Sequence, residues 1–165
     1  MLPLCATIDE QIFCAHGGIP MSTTKLSHVA AAIPCPMQEP EGVSQTAWEV
    51  LWNDPVSSKE FDQHVALLKA QNNLLRLPAG YIPNSKRGTA YFFSDDAVHA
   101  FLATNGLSHV IRAHEVTPDG YYLHCNGKVI TIFSSSRYCG MLNEAAVALV
   151  DCNKIRIMKV ETRGH

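Results

Sequence analysis

Two histidines in this chain of 165 residues follow short apolar runs. His16 closes the run in "IFCAHGGIP", and His114 closes the one in "VIRAHEV". Each run reads as a β-strand, so each imidazole sits at a strand end, where α/β folds carry their chemistry on loops. An imidazole there can ligate a metal ion, and it can equally be a hydrogen-bonded strand-end residue. The glycines after His16 allow the backbone to approach a ligand closely. Arg87 stands beside Gly88 at the entrance to "TAYFF". A guanidinium beside a glycine can fork onto an oxyanion; the plain alternative is a solvated turn arginine. Tyr138 lies in the polar loop "SSSRYCG", where its hydroxyl can donate to a ligand or the ring can cap the core. His16 and His114 are 98 residues apart, so a joint role requires a fold that brings two strand ends together.

The elements that would do this follow from periodicity and breakers. Leu4 to Ala15 reads as two strands around the polar turn Asp9-Glu10-Gln11. Ser22 is placed to cap a helix over Thr23 to Ala32, ended by Pro34-Cys35-Pro36. A short helix is expected over Gln45 to Leu51. An irregular connection then runs from Asn53 to Asn84 around a helix at Lys59 to Gln71, with Phe61, Val65, Leu67 and Leu68 on its apolar face. Ser94 with Asp95-Asp96 opens a helix that Gly106 closes, burying Val98, Phe101 and Leu102. Strands follow over Thr89 to Phe93 before that helix, and over His109 to Arg112, Tyr121 to His124, Val129 to Phe133, Ala145 to Val150 and Ile155 to Val160 after it. Turns at Asp119-Gly120 and Asn126-Gly127 separate some of them. The class is α/β with a mixed sheet and a strand-rich carboxyl-terminal half.

Composition narrows the function. The chain is 47% hydrophobic and 17% charged with net charge −2, which suits a single domain with a real core and lacks the basic face of a nucleic-acid binder. No run is long enough to cross a membrane and no signal segment opens the sequence, so neither a membrane nor a nucleic acid is expected as partner. The six cysteines show no repeated spacing and no C-x-x-C, which favours reduced thiols in a cytoplasmic or nuclear protein over a disulfide framework or a zinc ribbon.

Five blocks occur in order: "LPLCATIDEQIFCAHGGIP", "LWNDP", "RGTAYFF", "IRAHEVTPDGYY" and "VITIFSSSRYCG". Together they resemble the carboxyl-terminal half of the catalytic domain of PPP-family serine/threonine protein phosphatases. The resemblance covers nearly the whole chain apart from Val56 to Ile82, which looks like an insertion. It implies a metallophosphoesterase β-sandwich with flanking helices, and hydrolysis of phosphoserine and phosphothreonine in proteins by a metal-activated water. It implies that His16 and His114 ligate one ion of a dinuclear centre, that Arg87 and Tyr138 bind substrate, and that Asp54 is an acidic residue close to the centre. The implied cofactors are two divalent ions; neutral imidazoles suit manganese, iron or zinc better than calcium or magnesium. The implied partners are phosphoprotein substrates and regulatory subunits or domains. Two imidazoles on one zinc ion, each at about 2.0–2.1 Å, would hold their nitrogens roughly 3–4 Å apart.

The family's motifs Gly-Asp-x-His-Gly, Gly-Asp-x-Val-Asp-Arg-Gly and Gly-Asn-His-Glu do not occur here. They would supply the bridging carboxylate, the other metal ligands and the catalytic acid, so residues 1–165 are expected to be a fragment, inactive by itself and with no catalytic residue of its own. Two other functions remain open: a non-catalytic binding module, and a phosphoesterase for small molecules. Three departures bear on specificity: "NDP" for Ser-Asp-Pro, "SSSRYCG" for Ser-Ala-Pro-Asn-Tyr-Cys-Gly, and "NEAAVAL" for the Asn-x-Gly-Ala run.

Overall fold

The computed structural model describes residues 3–33, 42, 44–71, 77–151 and 154–160. The expected Pro34-Cys35-Pro36 breaker lies outside them. The chain opens with a hairpin of β1 (Cys5–Ile8) and β2 (Ile12–Ala15), in register Ile8↔Ile12. Its turn holds Asp9 and Glu10 at positive φ, which these non-glycine residues tolerate in a tight loop. Beyond β2 come the helices α1 (Leu26–Ala32) and α2 (Gln45–Trp52), the two-residue strand β3 (Asp54–Pro55), and α3 (Ser58–Ala70). The strands β4 (Tyr81–Pro83) and β5 (Tyr91–Phe93) and the helix α4 (Asp95–Asn105) complete the first half of the sequence order. The rest is strands: β6 (His109–Arg112), β7 (Tyr121–His124), β8 (Val129–Ile132), and a terminal hairpin of β9 (Ala145–Asp151) and β10 (Lys154–Val160).

The main sheet has the order β1-β2-β6-β8-β7 and is mixed: β2, β6 and β8 run parallel while β1 and β7 are antiparallel at its edges. A small second sheet, β3-β5-β4, contains the "NDP" block, and β9 and β10 pair with each other. Phe13 of β2 and Val110 of β6 point into the core with Phe93, Val98, Phe101 and Val129. A smaller cluster of Val56, Ile82 and Phe92 is covered by Phe61, Val65 and Leu68 of α3. Those three recur at four- and three-residue intervals and form one stripe. Leu67, expected on that face, is 60% exposed because it falls off the stripe by about a third of a turn.

Two expected caps differ from those observed. Helix α1 begins at Leu26, not Thr23, with Lys25 at its N-cap. The Glu49 carboxylate, itself buried in α2, accepts the backbone N–H groups of Met21 and Ser22. The Ser22 hydroxyl meets that of Thr46. This segment is thereby held extended across α2, and Asn105 Oδ1 of α4 accepts the Leu26 N–H instead. Ser94 occupies the N-cap of α4, but its side chain makes no capping hydrogen bond. Helix α3 starts with a complete capping box, in which Ser57 and Glu60 serve each other's backbone N–H.

The glycines after His16 serve the scaffold and not a ligand. A Cβ on Gly17 would stand 2.5 Å from the Leu51 carbonyl carbon and 2.6 Å from the Trp52 nitrogen. Gly17 N–H donates to Val50 O at 2.7 Å, so the strand end and the end of α2 are in direct backbone contact. Gly17→Ala must therefore push backbone against backbone. We expect a loss of about 1–3 kcal/mol in urea denaturation; unchanged stability would contradict this contact.

Candidate active site

Parallel pairing explains how residues so distant in sequence meet. Strands β2 and β6 are neighbours in register Cys14↔Ile111, so their carboxyl ends lie side by side. The Ala113 N–H donates to the His16 carbonyl at 3.0 Å, extending that pairing one step past the sheet. There His16 Nε2 and His114 Nδ1 are 3.1 Å apart, inside the interval expected for two ligands of one ion. His114 holds a left-handed backbone, φ 60°, which turns its side chain back toward His16. The Trp52 ring packs edge-to-face on His114 with centroids 5.0 Å apart. His16, Trp52, Arg87, His114 and Tyr138 all line one cleft of about 780 Å³.

Beneath the histidines is a buried ionic network. The Asp54 carboxylate has no solvent exposure. Its Oδ1 accepts from Arg112 Nη2 at 2.7 Å, while Oδ2 accepts from Arg87 Nε at 2.9 Å and Asn84 Nδ2 at 2.8 Å. Arg112 is fully buried and also donates to the carbonyls of Gly17 and Asn53 and to the Glu115 carboxylate. Arg87 Nη2 reaches the His114 carbonyl at 3.2 Å. Two nitrogens of Arg87 are thus committed to the scaffold, and Nη1 is left for the cleft. Burial by itself would raise the Asp54 pKa, but the Arg87 hydrogen bond, the Arg112 charge and the Asn84 amide outweigh it and hold the carboxyl low.

Burial lowers the pKa of both histidines. For His114 the charge of Arg87 adds to burial and brings it to about 4. For His16 burial comes first, followed by the charges of Arg112 and Arg87. Both rings are therefore neutral near pH 7, the form in which imidazole binds a metal. The geometry and the protonation state fit a divalent ion between His16 Nε2 and His114 Nδ1. Among the described residues no group of three or more His, Cys, Asp or Glu side chains could hold a metal ion, so the two imidazoles stand as a pair without a third such side chain beside them.

Tyr138 is 45% exposed at the cleft, with its ring edge-to-face on Phe133. The loop that carries it is braced by Asn143. Asn143 Oδ1 accepts the Tyr138 N–H, and Asn143 Nδ2 donates to the carbonyls of Ser135 and Glu144. Arg137 and Cys139 both take positive φ there. Among the described residues Cys5, Cys14, Cys125 and Cys139 form no disulfide.

Comparison with known proteins gives the family. Residues 1–118 match the calcineurin-like phosphoesterase family. The chain belongs to that family. It is 32% identical over 152 residues to the serine/threonine-protein phosphatase BSL2 of Arabidopsis thaliana, covering 90% of this chain and 13% of that protein. A solved protein serine/threonine phosphatase from Saccharomyces cerevisiae, described as similar to human phosphatase PP5, superposes with TM-score 0.70 at 25% identity. That match covers 99% of this chain and 48% of the yeast chain. The chain spans less than half the length of these relatives, and its mixed α/β architecture is that of the metallophosphoesterases. Members of this family generally use divalent metal ions.

Several residues of the site were not singled out by the sequence. Arg112 had a signal available, because strand alternation puts it in phase with Val110 on the inward face, where a charge demands partners. Asn84, which bridges Asp54 and the Arg87 turn through both side-chain ends, had none. Asn53, the residue that departs from the family's serine, bridges Ile19 O and Tyr91 N–H and ties β5 to the glycine segment.

The lowered His114 pKa has a consequence for stability. Below its ordinary value of 6.5 the unfolded chain binds a proton that the folded chain refuses until about 4. Stability is therefore fully present above the unfolded pKa and falls as pH drops through the interval between them. Urea midpoints of the purified, metal-free chain should decline over that interval, and His114→Asn should show a shallower decline. Equal slopes in the two proteins would contradict the assignment.

Proposed function

We propose that this chain is the carboxyl-terminal portion of a metal-dependent phosphatase domain, residues 56–82 being an insertion, and that the domain hydrolyses phosphoserine and phosphothreonine in proteins. The observation that carries this reading is the 3.1 Å approach of His16 Nε2 to His114 Nδ1 on a cleft shared with Arg87. When bound, divalent ions (manganese, iron or zinc) polarise the phosphoryl group and supply a nucleophile at neutral pH. His16 and His114 are the residues of this chain that would hold one of two ions. Arg87, anchored through Nε and Nη2, has Nη1 left for a phosphoryl oxygen, where a preorganised charge costs no reorganisation. Trp52 and Phe133 give the cleft apolar walls, and Tyr138 overhangs it as a hydrogen-bond donor for the substrate.

The ligand count limits what these residues do unaided. With a pair of histidines and no further ligand cluster among the described residues, the chain alone binds an ion and a phosphate without turning substrate over. That same count favours, for the isolated chain, the reading as a phosphate-binding module. Regulatory subunits or domains as partners, and a cytoplasmic or nuclear location, belong to the same proposal. The described residues include no helix long and apolar enough to cross a membrane.

The test uses the purified chain with manganese. Paramagnetic broadening should select the ring signals of His16 and His114. Addition of a phosphothreonine peptide should then perturb the Arg87 guanidinium, and the unphosphorylated peptide should not. Arg87→Lys keeps a charge but loses the fork, and should weaken phosphopeptide binding roughly 10-fold or more. Equal binding of both peptides would refute the phosphate role. Robust manganese-dependent turnover by these residues alone would refute the ligand count.

A further inference from the structure

His114 Nε2 is buried and has no hydrogen-bond partner, whereas its other nitrogen faces His16. The charged atom it faces is Asp54 Oδ1, 4.0 Å away. That oxygen accepts one hydrogen bond, from Arg112, while Oδ2 accepts from both Arg87 and Asn84. Oδ1 therefore retains acceptor capacity on the side of His114. An unpartnered ring nitrogen and an under-used carboxylate oxygen face each other inside the protein.

We propose that Asp54 is a positioning residue that keeps the proton of His114 on Nε2, so that the Nδ1 lone pair stays aimed at His16 and the ion point between them, while the same carboxylate orients Arg87. The proposal rests on the metal-ligand reading of the two histidines. Two neutral tautomers are available. With the proton on Nδ1, His114 would donate to His16 and turn the Nε2 lone pair onto a buried carboxylate, a repulsive contact in a low-dielectric setting. With the proton on Nε2, the N–H dipole points at that carboxylate and Nδ1 accepts from a protonated His16 Nε2. Carboxylate–histidine–metal arrangements fix ring orientation and raise ligand basicity by the same means.

The ring cannot avoid the choice by swinging away. Its backbone is fixed at positive φ, its carbonyl is held by Arg87 Nη2, and its edge lies against Trp52. Arg87 thus touches Asp54 at Oδ2 and His114 at its carbonyl, which places the phosphate-facing guanidinium and the metal-facing imidazole on one anchor. A change at Asp54 is transmitted to both ends of the site.

The experiment is a long-range proton–nitrogen correlation spectrum of the nitrogen-15-labelled chain near neutral pH without metal. His114 should show the pattern of a protonated Nε2 and an unprotonated Nδ1; the opposite tautomer in the unaltered chain would overturn the proposal without any variant. In Asp54→Asn, which keeps shape but loses charge, the tautomer ratio should fall by about tenfold. A folded variant with the ratio unchanged would also overturn it. Zinc added alone should shift His114 Nδ1 and His16 Nε2, and roughly 10–100-fold more zinc should be needed in the variant. If zinc moves neither ring in the unaltered chain, the metal reading fails while the tautomer result still decides the role of Asp54.

Discussion

The buried Asp54 carboxylate is the interaction on which the site depends. An isolated charge at full burial would be costly, and two arginines and an amide balance it. The partners come from two distant parts of the chain: Arg112 from the end of β6, Arg87 and Asn84 from the turn before β5. Removing one member of such a set strands the others, at a cost of about 3–5 kcal/mol. The network therefore makes the second sheet and the main sheet interdependent, and it ties Arg87 to the His114 end of the cleft. Arg112 carries this further by binding the Gly17 and Asn53 carbonyls, so the segment after His16 and the end of α2 are held by the same guanidinium.

On that base the fold solves a problem of distance. Parallel pairing of β2 with β6 aligns two strand ends, and the left-handed turn at His114 brings its ring across to His16. Apolar packing of Phe13, Val110 and Phe101 fixes the strands against α4, which keeps that edge from shifting. Neutral rings follow from burial together with the nearby arginines. Of the two arginines that help keep the imidazoles neutral, Arg112 is buried beneath them and Arg87 lines the cleft. Charge balance at the cleft is thus set by the scaffold before any ligand arrives.

Much of this was legible in the sequence, for identifiable reasons. Strand periodicity with Asp119-Gly120 and Asn126-Gly127 located β6, β7 and β8, and the apolar stripe located α3 and α4. The ordered blocks around His16, Asp54, Arg87, His114 and Tyr138 marked the residues that the structure gathers around the cleft. What escaped depended on tertiary contacts. Ser22 is a good cap by local rules, yet Glu49 and Thr46 hold it outside the helix. Gly17 and Gly18 resemble ligand-approach glycines, but the backbone of α2 and the Phe93 ring fill the space a side chain would need. Arg112 shares the inward face of β6 with Val110, but its partners Asp54 and the Gly17 and Asn53 carbonyls come from distant segments. Asn143 opens the "NEAAVAL" run, but that its side chain braces the Tyr138 loop follows only from the fold.

The central claim is that the two strand-end histidines define one ion point above the Asp54 network. The most direct measurement is a crystal structure of the chain grown with zinc, with anomalous scattering recorded at the zinc edge. The account places a single strong peak between His16 Nε2 and His114 Nδ1, about 2.0–2.1 Å from each. A peak elsewhere, with the two imidazoles turned apart, would contradict it.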